Sequence, residues 1–153
     1  MKETKQKDKQ KVRSKKQKLV PITRLKGKLW EQFSLFIRLR DADMTGNIRC
    51  CTTGYERHWK QSQAGHFHSQ RGNPALIFEE NNVHAQSPLA NKLQKNNITW
   101  DYFKFMYDKY GMEELERLAS LRKKPFPLKR EWLEEQIKHY KKQVELLKQQ
   151  KGL

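Results

Sequence analysis

The spacing of apolar positions changes several times along the chain, and each change marks an element. From Met1 to Lys18 only Met1 and Val12 are apolar, too little surface to offset the entropy of ordering, so this stretch is expected to be disordered when free. Leu29, Trp30, Phe33, Phe36, Ile37 and Arg40 then recur at helical spacing and predict an amphipathic helix that ends near the Asp41 to Gly46 turn. Between Ile48 and His84 the pattern shortens to runs around Ile48 to Thr52, Ala64 to His68 and Ala75 to Phe78. Gly54, Gln70-Arg71-Gly72-Asn73-Pro74 and Asn81-Asn82 separate them, which predicts short strands and loops. Ser87-Pro88 is an N-cap with proline at the first helical position, and the helix it opens is expected to close at Asn96 or Asn97. A ββα unit is therefore expected over roughly 64–97.

Thr99 can cap a further helix with a stripe of Trp100, Phe103, Met106, Tyr107 and Tyr110, stopped by Gly111 and followed by a shorter helix from about Glu113 to Leu121. After the Lys123 to Pro127 linker, Leu133, Ile137, Tyr140, Val144 and Leu147 alternate by four and three residues. This stripe is expected to pack on the protein's own helices, with a homodimer seam as the alternative. The predicted organisation is a basic arm over 1–28, a central domain with flanking helices over 29–121, and a basic linker and helix over 122–153. The predicted fold class is α+β.

Charge sharpens that division. The formal net charge is +16. Residues 1–28 hold 12 Lys/Arg against 2 acids, residues 122–153 hold 10 against 4, and residues 29–121 hold 11 of each. All the net charge thus sits at the ends, where counterion release on a polyphosphate generates affinity. Lys15, Lys16, Lys18, Arg24, Lys26 and Lys28 are the candidate contacts of the N-terminal arm, by the logic of clustered basic arms. No run approaches an apolar membrane span or a signal segment, so a soluble, cytoplasmic protein is expected. The two cysteines, Cys50 and Cys51, are sequence neighbours and unsuited to pairing with each other; they are expected as thiols, without nucleophilic activation.

Ala64-Gly65-His66-Phe67 places a histidine on the first predicted strand of the ββα unit, and Asn91 lies near the start of its helix. Taken singly, a histidine is more often structural and an asparagine in a first helical turn more often a cap. Together they supply what ββα-metal (HNH) nucleases need: a strand histidine to deprotonate water, and a hard oxygen on the next helix to hold a divalent cation at the scissile phosphate. The wider string, Gln-Ala-Gly-His-Phe from Gln63, Phe-Glu-Glu-Asn-Asn-Val-His-Ala-Gln from Phe78, then Asn91 and Asn97, resembles the NinG/Rap family of phage recombination endonucleases. In that family an Ala-Gly-His-aromatic strand precedes Asn-x-His-x-Gln-Cys-x-x-Cys-Asn. The resemblance extends less sharply from the Leu29 helix to the Lys148 region.

The resemblance implies a DNA endonuclease with His66 as general base and Asn91 as metal ligand. Asn82 is the middle member of a His-Asn-Asn set, expected to brace the hairpin rather than touch metal. It implies branched or junction DNA as substrate, a phage source and Mg²⁺ or another divalent cation as cofactor. Many HNH nucleases carry an acidic ligand just before the histidine, where this chain has Gly65; Mg²⁺ tolerates this, since it often takes one or two protein ligands plus waters and phosphate oxygens. His68, two residues from His66 on a strand, would share its face and stand beside the phosphate. His84 would orient the loop. For both, a purely structural role is equally open. Lys92 and Lys95 would steady phosphates or simply be solvated.

The family's two Cys-x-x-Cys knuckles fall at positions 50, 53, 87 and 90, which here are Cys50, Thr53, Ser87 and Ala90. Structural zinc is held by four side chains, so no zinc is expected. Packing from the Trp30, Trp59, Trp100 and Trp132 regions is expected to hold the hairpin instead. Two other functional classes fit the charge map: a catalytically inactive nucleic-acid-binding protein of the same fold, and an RNA-binding accessory protein. The latter leaves the co-occurrence of His66, Asn82 and Asn91 unexplained.

Overall fold

The computed structural model describes residues 19–94 and 97–153. In chain order it contains α1 (Ile22–Asp41), β1 (Asn47–Arg49), β2 (Glu56–His58), β3 (Gln63–His66), β4 (Val83–Gln86), α2 (Pro88–Leu93), α3 (Trp100–Ser120) and α4 (Arg130–Lys151). β1 pairs with β2 and β3 with β4, both antiparallel. Helices and small hairpins together make an α+β architecture. Among the described residues no helix is long and apolar enough to cross a membrane.

α1 and α4 pack against each other and form the larger apolar cluster. Leu29, Phe33, Ile37 and Leu133 are fully buried there, with Tyr140 and Val144 from the same stripe of α4. Each such side chain contributes about 1.5–3 kcal/mol relative to exposure. Polar clamps fix α4 at both ends of α1. Arg130 Nη2 donates to the Val20 carbonyl at 2.6 Å, and Lys151 Nζ donates to the carbonyls of Leu39 (2.6 Å) and Ala42. A cation on the last carbonyls of a helix also answers its dipole. The C-terminal stripe is thus spent on the protein's own helix.

A smaller apolar cluster lies on the other side of the β3–β4 hairpin, where Phe67 and Leu76 meet Tyr102, Met106, Leu115 and Leu118 of α3. α3 is broken at Gly111, whose φ of 78° is outside the helical range, so the predicted stop falls where only glycine is comfortable. Thr99 and Ser87 cap α3 and α2 through their hydroxyls, as their positions predict. The end of α1 grips β4 as well: Arg40 donates to the carbonyls of Glu80 and Val83 at 3.0 and 2.8 Å, and Asp41 Oδ2 accepts from Ala85 N–H at 2.8 Å.

Several expectations are corrected. α1 starts at Ile22, so residues 22–28 of the basic segment belong to a helix rather than a disordered arm; residues 1–18, with Lys15, Lys16 and Lys18, lie outside the described residues, as does Lys95. The apolar run Ala75 to Phe78 is not a strand: Pro74–Leu76 is a 3₁₀ turn, and Asn82 Nδ2 and His66 Nε2 occupy the Leu76 and Ile77 carbonyls. The second strand of the hairpin is Val83–Gln86, which no alternation marks because all four residues are buried. β2, with its polar sequence Glu-Arg-His, was likewise not foreseen. α2 ends at Leu93, short of Asn96. Trp100 is 73% exposed and does not hold the hairpin.

Candidate active site

β3, α2 and Trp30 of α1 border a cleft of about 470 Å³ whose walls include Trp30, Gln63, His66, Asn91, Lys92 and Gln94. His66 is the last residue of β3 and is half-buried. Its Nε2–H donates to the Ile77 carbonyl at 2.9 Å, and its ring stacks on Trp30 with centroids 5.2 Å apart and planes 15° from parallel. A carbonyl can only accept, so the proton is on Nε2 and the lone pair is on Nδ1. Burial, only partly opposed by the bond to Ile77, holds the ring's pKa below the ordinary histidine value. The imidazole is therefore neutral at pH 7 and able to take a proton.

Asn91 sits in the first turns of α2, across the cleft from β3. Its Nδ2 donates to Gln63 Oε1 at 2.9 Å, which leaves Oδ1 turned toward Gly65. A Cβ on Gly65 would overlap the side-chain oxygen of Gln86 and lie 2.9 Å from Asn91 Oδ1. This explains the glycine before the histidine: an acidic side chain has no room there. His66 and Asn91 are thereby brought into one cleft, 25 residues apart in sequence.

A chain of amides underlies them. Gln94 Nε2 donates to the His66 carbonyl at 3.3 Å, Gln94 Oε1 accepts from Gln86 Nε2 at 2.7 Å, and Gln86 Nε2 also donates to Thr52 Oγ1. Gln86 is fully buried, and its Oε1 has no hydrogen-bond partner. Two amide oxygens, Gln86 Oε1 and Asn91 Oδ1, thus converge above Gly65, one of them orphaned. Amide oxygens are hard donors suited to Mg²⁺, so the donor set fits such a cation, with Asn91 Oδ1 the accessible member. Among the described residues no three His, Cys, Asp or Glu side chains come together as a metal cluster.

The remaining predicted residues support the site or lie apart from it. Asn82 is fully buried; its Oδ1 accepts from His68 N–H at 2.8 Å and its Nδ2 donates to the carbonyls of His68 and Leu76 at 3.0 and 3.1 Å. It braces the segment after β3 and takes no place in the cleft wall. His84 is also fully buried. Tyr102 O–H donates to the Gly65 carbonyl at 2.8 Å, so the 3.3 Å contact of Tyr102 with His84 has Nδ1–H as donor, and Nε2 accepts from Tyr110 O–H at 2.8 Å. His84 holds the backbone beside His66 through Tyr102. His68 corrects an expectation: β3 ends at His66, and His68 lines a neighbouring depression, not the cleft of His66. Lys92 is on the cleft rim, while Arg24 and Lys28 are exposed on the first turns of α1, with Lys26 partly buried.

The four knuckle positions meet in space. Cys50 Sγ accepts from Ser87 N–H at 3.2 Å and Thr53 N–H at 3.5 Å, and Ser87 Oγ accepts from Ala90 N–H at 3.2 Å. Burial raises the Cys50 thiol pKa, but these bonds outweigh it and leave the value below that of an ordinary thiol. Hydrogen bonds to sulfur and a serine cap thus join the 50–53 turn to the start of α2. Gln94 is the site residue that sequence reasoning did not name; Gln63 and Gln86 entered only as members of the string that carries the resemblance, and Trp30 only as packing for the hairpin.

A family model described as the bacteriophage lambda NinG protein matches residues 1–150. No curated protein and no solved structure was found to match the chain. With nearly the whole chain matched, the protein belongs to the NinG family, a phage recombination-related family.

Proposed function

We propose that this protein is a divalent-metal-dependent DNA endonuclease of the ββα-metal (HNH) type, acting on branched recombination intermediates. The observation that carries the reading is the pairing, in one cleft, of a neutral histidine with a free Nδ1 and an asparagine whose Oδ1 faces the same strand. His66 Nδ1 takes a proton from water as the water oxygen forms its bond to phosphorus. The P–O3′ bond breaks and the 3′ oxygen leaves. The Ile77 carbonyl holds the imidazole in the required tautomer and carries part of the charge that develops on it. Trp30 fixes the ring plane, and Lys92 on the rim faces the phosphate. A Mg²⁺ ion on Asn91 Oδ1, completed by water and phosphate oxygens, would supply Lewis-acid polarisation of the phosphate.

The test uses purified protein with branched, duplex and single-stranded DNA, in Mg²⁺ or EDTA. Wild type is expected to cut branched DNA in Mg²⁺ only. His66→Ala should bind DNA and lose about 10² to 10⁴ in rate, the usual worth of a positioned base. Asn91→Ala should be partly rescued by raised Mg²⁺, whereas His66→Ala should not. Wild-type rates in both folded variants would place the chemistry elsewhere. No cleavage of any DNA form with any divalent metal would leave an inactive binder of the same fold.

A further inference from the structure

Beside the His66 cleft lies a second depression of about 380 Å³, and the two share Ser69 and Gln94 in their walls. They are consecutive stations along the segment that follows β3. The second is lined by Arg71, Arg122 and His68, with no carboxylate among the described residues of its wall. Arg71 and Arg122 are both exposed, and neither is in an ion pair among the described residues.

The two arginines come from remote parts of the chain, and one buried side chain brings them together. Asn73 Nδ2 donates to the Ser69 carbonyl at 2.7 Å, while its Oδ1 accepts from Lys123 N–H at 2.9 Å. Lys123 has φ of 58°, the only positive φ at a non-glycine among the described residues. Such a conformation is unfavourable for a side chain and persists where its surroundings over-determine it. Asn73 does so here, fixing the turn after α3 against the loop that carries Arg71. His68 is 8% exposed, and its buried Nε2 has no partner in the protein. Asn82 grips its backbone from both sides, so the ring is held in this wall.

We infer that this depression is a subsite for a backbone phosphate of the DNA strand that runs through the neighbouring cleft, gripped by Arg71 and Arg122. A guanidinium fork matches two phosphate oxygens, and a wall without carboxylates leaves both forks free for that ligand. The inference rests on the endonuclease reading for the identity of the polymer, but not on cleavage.

The experiment is therefore done in EDTA. Fluorescence anisotropy with labelled duplex and branched DNA, over a salt series, gives the slope of log affinity against log salt for the full chain. The double variant Arg71→Gln/Arg122→Gln should make it shallower by about 0.9, the value of one phosphate contact on duplex DNA, and Arg71→Gln and Arg122→Gln should each make it shallower by part of that. Arg49→Gln, which removes an exposed charge from the β1 hairpin, should leave it unchanged. A single methylphosphonate walked along the strand should find one position at which it weakens wild type but weakens the Arg71→Gln/Arg122→Gln double variant no further. Unchanged slopes for both arginine variants, an equal loss for Arg49→Gln, or no DNA binding at all would overturn the subsite. Altered slopes in a protein that never cuts DNA would support it while sinking the endonuclease reading.

Discussion

The two sides of the molecule are held together by different forces. Between α1 and α4, cohesion comes from apolar side chains such as Phe33, Ile37, Leu133 and Val144. Around β3, β4 and α2 the buried side chains include Asn82, His84, Gln86, Ser87 and Gln94, nearly all of whose polar atoms have a partner. Apolar packing is forgiving of shape and fixes a position only loosely, whereas a hydrogen-bond network fixes donors and acceptors to tenths of an ångström. The precise side is the one that carries His66 and Asn91. The comparison predicts that volume-conserving substitutions are tolerated between the helices and not around the cleft.

The largest effect is expected from Phe33→Ala. The ring is fully buried and meets Phe78 and Tyr140 edge-on, at 5.6 and 5.1 Å. Its truncation should cost about 3–5 kcal/mol in denaturant unfolding, while Phe33→Leu should cost about 1.5 kcal/mol or less. Equal losses for the two would show that this side, too, is held by specific geometry.

Asn82→Leu is the complementary change, with the same branched set of heavy atoms but without the amide. It strands His68 N–H and the carbonyls of His68 and Leu76 in the interior. The expected cost is about 3 kcal/mol, since each buried group left unsatisfied costs roughly 1–3 kcal/mol and neighbouring losses overlap. A loss under 1 kcal/mol, measured by the same unfolding, would erase the contrast between the two sides.

The contrast also explains what was legible in the sequence. Periodicity reads amphipathic helices, so α1, α3 with its break at Gly111, and the α4 stripe were visible. The start of α1 was hidden because Arg24, Lys26 and Lys28 mask the helical spacing of Ile22, Leu25 and Leu29. β4 was invisible for a deeper reason: Val83, His84, Ala85 and Gln86 are all buried, and the His84 ring and the Gln86 amide nitrogen bond to Tyr102, Tyr110, Thr52 and Gln94 from elsewhere in the chain. Conversely, Ala75 to Phe78 looked like a strand because it is apolar, yet its carbonyls serve His66 and Asn82. His66, Asn82, Asn91 and His84 could be named from their order in a known string. Gln94 belongs to the site only through tertiary contacts that no local pattern encodes.

His84 gives a smaller and more selective effect, on pH dependence. Burial holds its pKa down to about 3, against an ordinary value of about 6.5. The unfolded chain then binds a proton below about pH 6.5 that the folded protein refuses until about pH 3. Stability is therefore complete above pH 6.5 and falls as the pH drops through that window. Burial lowers His66 and His68 in the same direction. Between pH 6 and pH 5, His84 alone should remove up to about 1.4 kcal/mol per pH unit. His84→Gln should flatten the profile of unfolding free energy against pH. A profile of the same steepness would mean that the buried histidine does not set the acid sensitivity.

The smallest effect is expected around Cys50, Thr53, Ser87 and Ala90, where hydrogen bonds join the 50–53 turn to the start of α2. Cys50 Sγ accepts two backbone N–H groups, from Thr53 and Ser87, but sulfur is a weak acceptor. Cys50→Ala should cost only about 1 kcal/mol, the scale of an ordinary net hydrogen bond. We propose that the wild-type protein needs no structural zinc, because hydrogen bonds and the Ser87 cap already join the 50–53 turn to the start of α2. Elemental analysis of purified wild type should then find no stoichiometric zinc, and EDTA should leave its melting temperature unchanged. The triple substitution Thr53→Cys, Ser87→Cys and Ala90→Cys supplies three more thiolates at positions already in mutual contact. It should bind one zinc per chain tetrahedrally and become more stable with zinc than with EDTA. Failure of the triple variant to bind zinc would show that hydrogen bonding at these positions has moved the two turns out of metal-binding geometry. Zinc in the wild type would show that the present residues hold metal after all, and that part of the stability assigned here to hydrogen bonds belongs to that ion.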